Sequence, residues 1–339
     1  MYFNMDEWSQ KIIRAKDRRF MPVLFFPCLK KCGITVVESV KDGRKMGDVM
    51  KACLDEFPTM IGSMTGMDLT VDAESFGADV VFKENQVPSL HGPIVKNIED
   101  AKALAVPDEH AGRQDMFIEA IKRAQEIITN VPIFGGQLGT FSLVGNLYDL
   151  QQALTDTIEN PEILDILCEK ATEFLIQRAK AYKKAGANGI LLAEPTAGLL
   201  PPKSFRRFST IYIKRLVEEV QDSSFYVILH DCGYVKRTCD QMYETGAKGL
   251  HFGDSVNMRQ ILEKLPRDIL IFGNIKPSAM VSESAEWIYA KSMEVLEETK
   301  EFENFVFSSG CDIPPDAPIE NVQAMVDACS DFNKKYNLL

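Results

Sequence analysis

A (β/α)8 TIM barrel with a small inserted β-hairpin is the fold this sequence predicts, on three observations. Short apolar segments recur along the chain, amphipathic helical stretches separate them, and several of the segments end in a polar side chain. The segments are 21–28, 57–63, 131–137, 189–194, 225–230, 249–254, 269–274 and 304–309. Each is a near-continuous apolar run, as parallel strands covered on both faces require. Residues 161–185 give the clearest helix. Pro161 suits a first turn, Ile163, Leu164, Leu167, Ala171, Phe174 and Leu175 share one face, and Gly186 follows as a stop. The stretches 202–220, 234–245, 256–264, 282–299 and 318–335 read likewise, and 76–95 reads as the inserted hairpin, with Asn85 and Gln86 at its tip. A doubly wound open sheet is the alternative arrangement of the same pattern. No Gly/Ser linker or low-complexity tract divides the 339 residues, so one barrel domain over 1–339 is expected.

Composition narrows the function. The chain is 45% hydrophobic and 26% charged, with the charges interspersed, which fits a globular protein with a sizeable core. Its net charge of −11 leaves no basic footprint for nucleic acid and disfavours an anionic membrane surface. No apolar run approaches the ~20 residues of a membrane span. The first twenty residues are polar and mixed in charge, without the apolar core of a signal peptide, so the cytoplasm is the expected compartment. Eight cysteines are too few for a disulfide scaffold of this length; in a reducing compartment they read as buried apolar residues, metal ligands or catalytic thiols.

Reactive groups in a parallel barrel gather at the C-terminal strand ends. The polar residues there are Gln137, Glu194, His230, Asp254 and Asn274. The fifth segment runs into His230-Asp231-Cys232-Gly233, and the eighth into Cys311. His230 and Cys232, two apart in an extended segment, face the same way. Two thiolates and an imidazole form a set that selects Zn2+ over Mg2+ or Ca2+, and three protein ligands leave one position for a substrate. The competing reading is a packed histidine beside buried free cysteines. Zinc in such a site serves either of two chemistries: holding a thiol as a nucleophilic thiolate, or activating water for hydrolysis.

Several stretches carry a family resemblance. They are Met67-Asp68-Leu69-Thr70-Val71-Asp72-Ala73-Glu74-Ser75-Phe76-Gly77-Ala78, His230-Asp231-Cys232-Gly233, Gly273-Asn274-Ile275, Ser309-Gly310-Cys311-Asp312-Ile313-Pro314-Pro315 and Pro318-Ile319-Glu320-Asn321. They resemble the uroporphyrinogen decarboxylase superfamily, from about Asp6 to the last helix, and within it the methylcobamide:coenzyme M methyltransferase branch. The resemblance implies the barrel, a zinc ion on His230, Cys232 and Cys311 that activates a thiol, and a corrinoid docked at the barrel mouth that donates or accepts a methyl group. It leaves room for a carboxylate completing the metal-site coordination, and Glu194 is the candidate because it ends the fourth segment beside that of His230; otherwise it reads as a solvated barrel-mouth carboxylate. Asp68 matches the position of the decarboxylases' catalytic aspartate, which the methyltransferase branch also carries; otherwise it reads as a turn or cap residue. Two features separate this chain from true decarboxylases. Those carry an Arg-Gln-Ala-Gly-Arg segment whose arginines bind propionates, where this chain has Phe26-Pro27-Cys28-Leu29-Lys30-Lys31-Cys32-Gly33, and they carry histidine in place of Cys311.

The remaining candidates are supporting ones. Gln137 and Phe141, beside the glycine-rich end of the third segment, are expected to line the pocket; Asp254 is expected to orient His230 as a carboxylate behind the imidazole. Asn274 is grouped with them as a cofactor-side residue. His251 reads as a packed, hydrogen-bonded histidine, Cys28 and Cys32 as an incidental pair, and Cys53, Cys168, Cys239 and Cys329 as core residues. Gly135-Gly136-Gln137-Leu138-Gly139 lacks the spacing of a dinucleotide loop. The leading functional expectation is a zinc-dependent methyltransferase moving a methyl group between a corrinoid and a thiol such as coenzyme M. The chain has no Asp-x-His-x-x-Gly corrinoid motif, so a separate corrinoid protein is the expected partner, with a small-molecule thiol or methylated substrate. The alternatives are a first-component enzyme demethylating a small compound onto a corrinoid protein, a decarboxylase, or a non-enzymatic corrinoid or metal carrier.

Overall fold

A computed structural model describes residues 3–338 of the chain. Eight parallel strands form the main sheet: β1 (Arg19–Phe20), β2 (Ser63–Met64), β3 (Ile133–Leu138), β4 (Gly189–Ala193), β5 (Tyr226–Asp231), β6 (Gly249–Phe252), β7 (Leu270–Ile275) and β8 (Phe305–Ser309). Neighbours follow the order β1-β8-β7-β6-β5-β4-β3-β2. A parallel bridge between Phe20 and Met60, with Ile61 N donating to Phe20 O at 3.1 Å, then joins the first strand to the approach of the second. The sheet is therefore a barrel and not the open doubly wound alternative.

The first two strands are shorter than the apolar runs suggest, because proline interrupts their ladders. Met21 N still donates to Phe307 O at 2.9 Å, but Pro22 has no N–H to continue. The chain runs on extended, pinned by Val23 N to the Ser309 hydroxyl at 3.0 Å, and ends in a 3-10 turn at Phe26–Cys28. In the second segment Pro58 sits in a turn, and pairing starts only at Met60.

Strand alternation divides the core in two. Met64, Phe134, Leu191, Ile228, Phe272 and Val306 fill the barrel interior. The opposite faces pack under the surrounding helices. The helix Met5–Arg14 closes the bottom, with Met5 and Ile12 in the interior cluster and Asp6 accepting from the Tyr226 hydroxyl at 2.6 Å. The long helix is Pro161–Ala185, ended by Gly186 at φ 104°, a conformation that favours glycine. The expected helix over 202–220 is broken into Pro202–Phe205, a π turn at Arg206–Thr210, and Ile211–Val220. The hairpin pairs Val80–Lys83 with Gln86–Leu90; its turn is Glu84-Asn85, one residue earlier than expected. No helix among the described residues is long and apolar enough to cross a membrane.

Candidate metal centre

The C-terminal end of β5 directs His230 into the barrel, and the segment after it brings Cys232 to the same side. Cys311, two residues beyond β8, approaches from across the mouth. The His230 ring nitrogen and the two sulfurs lie within 4.8 Å of one another. His230 is buried and both cysteines are half-buried. His230 Nε2 is buried without a hydrogen-bond partner, the state expected of a lone pair reserved for a ligand. The Cys311 thiol donates to Cys232 and holds it well below the usual thiol range; the same bond, with burial, holds Cys311 up. A soft N/S/S donor set of this kind, with its atoms this close together, suits Zn2+.

Behind the imidazole stands His251, packed and hydrogen-bonded as the sequence predicts, with His230 itself as its partner. His230 and His251 are register partners on β5 and β6, and their Nδ1 atoms lie 2.8 Å apart. His251 Nε2 lies 3.1 Å from the Ser308 hydroxyl on β8, and Phe272 stacks on its ring at 6.3 Å. Burial first, and then His230 beside it, hold His251 well below the usual histidine range, so it is neutral. The tautomer in which His230 Nδ1–H donates to His251 Nδ1 and His251 Nε2–H donates to Ser308 is the one that leaves His230 Nε2 as an acceptor for a ligand. The period-2 rule places His251 inward, but its partner depends on cross-strand register, which the sequence does not display.

The other expected residues are placed differently. Asp254, expected behind His230, is exposed; it opens on a separate hollow of about 320 Å³ shared with Asn274, Lys276 and Trp287. The Asn274 amide ties down the loop after β6 by donating to Gly253 O at 2.9 Å and Val256 O at 2.8 Å. Gln137 and Phe141, expected on the pocket wall, lie in the layer between sheet and helices. Gln137 donates to Leu175 O at 3.3 Å, and Phe141 packs on Phe208 at 6.5 Å. The reason is parity: on β3 Gly136 faces inward, so Gln137 faces out. Glu194 is fully buried and lies outside the three-residue cluster. Its oxygens accept from Phe141 N at 2.8 Å, Ser142 N at 2.9 Å and the Ser209 hydroxyl at 2.8 Å. It caps the helix Thr140–Tyr148 from the next strand, and the π turn is what delivers Ser209 to it. Burial raises the carboxyl, and these donors offset part of the rise. Gly139 admits this contact, since a Cβ there would sit 2.5 Å from the carboxylate. Asp68 accepts from Thr70 N at 3.0 Å and its hydroxyl at 2.6 Å, and pairs with Arg113 at 2.6 Å. It closes a turn in the loop that carries Met67 and Leu69 to the barrel mouth.

A cavity of about 270 Å³ lies against the cluster, lined by His230 and Cys311 and walled by Met67, Leu69, Leu191 and Ala193. Val87 and Pro88 of the hairpin line it too, so the insertion contributes to its wall. A larger hollow of about 510 Å³ opens around Trp8, Arg18, Arg19 and Asn333, where the strands begin. Reaction centres of parallel barrels lie at the opposite end, and the only group among the described residues whose His, Cys, Asp or Glu atoms converge as metal ligands do is there, so the smaller cavity is the candidate functional one.

Comparison with known proteins settles the family. The family model described as uroporphyrinogen decarboxylase (URO-D) matches residues 19–332. The chain belongs to the uroporphyrinogen decarboxylase family. Within that family, the methylcobamide:CoM methyltransferase MtaA of Methanosarcina barkeri is 29% identical over 276 residues, covering 78% of each chain. The methylcobamide:CoM methyltransferase MtbA of Methanosarcina acetivorans is 27% identical over 270 residues, again with 78% of each covered. A uroporphyrinogen decarboxylase of Coxiella burnetii is 23% identical over 278 residues, covering 79% of this chain and 76% of its own. A solved methyltransferase from Methanosarcina mazei superposes with a TM-score of 0.86 at 25% identity, covering 97% of this chain and 99% of that one.

Proposed function

We propose that this chain transfers a methyl group between a corrinoid, carried on a separate protein, and a thiol, at a zinc site formed by His230, Cys232 and Cys311. One observation carries the reading: an unpartnered imidazole nitrogen and two cysteine sulfurs converge beside an apolar cavity at the reactive end of the barrel. Corrinoid-dependent methyl transfer is further supported by the similarity to methylcobamide:CoM methyltransferases. Zn2+ on these three residues would supply a Lewis acid that keeps a thiol ionised at neutral pH.

The chain's own residues do the remaining work. The apolar walls and the hairpin exclude water, which leaves a thiolate poorly solvated and more nucleophilic. In the transfer the thiolate sulfur would form the new S–C bond as the corrinoid's Co–C bond breaks, the electron pair of that bond would leave with the corrinoid, and the thiol proton would pass to solvent. His251 holds the His230 ring by accepting its Nδ1–H, and Ser308 holds His251. A His251→Phe variant keeps a ring and removes the acceptor; its zinc affinity is expected to fall about 10–100-fold in a chelator competition titration.

The activity test is anaerobic incubation of zinc-loaded protein with methylcob(III)alamin and a thiol. Cob(I)alamin and the methyl thioether are expected in equal amounts, at a rate proportional to protein. No rate above the protein-free control contradicts the proposal. The reverse direction uses the same residues; demethylation of a small compound that requires cob(I)alamin, without thiol methylation, selects it. Uroporphyrinogen turnover is disfavoured by the segment 26–33, which offers lysines and no arginine for propionates.

A further inference from the structure

We infer that the thiol accepted by this site carries an uncharged tail, so that a neutral small thiol is preferred over one bearing a sulfonate or carboxylate. The inference rests on the proposed thiol methylation and names the class of thiol. The cavity of about 270 Å³ is at the small end of ligand sites, so a substrate whose sulfur reaches the metal ligands keeps its tail within these walls. The walls are the side chains of Val23, Met67, Leu69 and Leu191, with Val87 and Pro88 of the hairpin. Among the described lining residues there is no lysine or arginine; beyond the two ligands, the one ionisable residue is Asp312. Asp312 Oδ1 is itself buried without a hydrogen-bond partner.

The cation that might have served is committed elsewhere. Arg113 is tied to Asp68, between the cavity residues Met67 and Leu69, and every nitrogen of its fork is engaged. Nε donates to Glu74 at 2.7 Å, Nη1 to Asp68 at 2.6 Å and Val40 O at 2.9 Å, and Nη2 to the Thr70 hydroxyl at 3.2 Å. An anionic tail would be desolvated against these apolar walls, with no lysine or arginine among the described lining residues to pair with it. Desolvating an unpaired charge is costly. A hydroxyl tail incurs far less of this penalty.

The test uses three thiols on one two-carbon frame: 2-mercaptoethanol, 2-aminoethanethiol and 2-mercaptoethanesulfonate. Each is titrated calorimetrically into the zinc-loaded full chain, and each is assayed for methylation by methylcobalamin. The expected result is binding of the neutral thiol at least about tenfold tighter than the sulfonate, with the same order in kcat/KM. A Val87→Lys variant, which sets a cation on the half-buried hairpin wall, should narrow the gap by favouring the sulfonate. Sulfonate binding equal to or tighter than the neutral thiol overturns the inference while leaving thiol methylation intact. If none of the three binds or is methylated, the thiol reading itself falls, and the inference with it.

Discussion

An Asp72→Asn substitution is expected to lower the stability of the fold by about 3–5 kcal/mol, read from chemical or thermal unfolding. Asp72 and Arg178 form an ion pair with both side chains buried, 0% and 1% exposed. The pair sits in a closed network. Asp72 Oδ2 accepts from Leu138 N at 2.9 Å, while Arg178 Nη2 donates to Gly136 O at 3.1 Å and to the Tyr182 hydroxyl at 2.6 Å. Tyr182 in turn donates to Gly136 O at 3.0 Å. One network thus ties the helix Pro161–Ala185, strand β3 and the segment after Met67 into one body. An amide in place of the carboxylate leaves the guanidinium charged, buried and unpaired, and that uncompensated charge accounts for most of the loss. A double variant, Asp72→Leu with Arg178→Met, removes both charges and is expected to lose less than Asp72→Asn alone. Equal or greater loss in the double variant would show that packing, and not charge, governs this region. The network also bears on the site, because the segment it anchors carries Met67 and Leu69 to the cavity wall.

Much of the barrel is legible in the sequence, and the reason is burial on both faces. Strands β3 to β8 are apolar on the interior side and on the helix side, so they read as unbroken runs. The first two strands are harder, since Pro22 and Pro58 curtail their pairing inside runs that are otherwise apolar. The break in the 202–220 helix is invisible to periodicity because a π turn keeps apolar residues buried while shifting the register by one.

Within the site, His230, Cys232 and Cys311 could be picked out because each stands at a strand end with metal-binding chemistry. Their supports could not. The hydrogen-bond partner behind His230 is His251, fixed by the pairing of β5 with β6; Asp254, only three residues further on, turns to solvent. Gln137 ends a glycine-rich segment, which makes it a cavity candidate in the sequence, yet one step of alternation puts Gly136 inside and Gln137 against Leu175. Glu194 has the right location for a ligand, but the backbone amides of Phe141 and Ser142 engage its oxygens. That contact depends on the helix Thr140–Tyr148 starting against β4, a tertiary relation no local pattern encodes.

The largest functional effect is expected at Cys311. It is the proposed ligand contributed from the far side of the barrel, and it holds its thiol against Cys232. Serine in its place keeps the size but removes the sulfur that makes the donor set selective for zinc, leaving two ligands, too few for a closed zinc site. Cys311 is half-buried at the mouth and outside the packed core, so the variant is expected to fold and to fail in metal binding. The most direct test is therefore the zinc content of anaerobically purified wild type and of Cys311→Ser after identical loading and desalting. The account predicts about one zinc per chain in the wild type and less than about a tenth of that in the variant. Wild type that retains no zinc after reconstitution, or a folded Cys311→Ser that retains it in full, would contradict the three-residue metal centre on which the proposed methyl transfer stands.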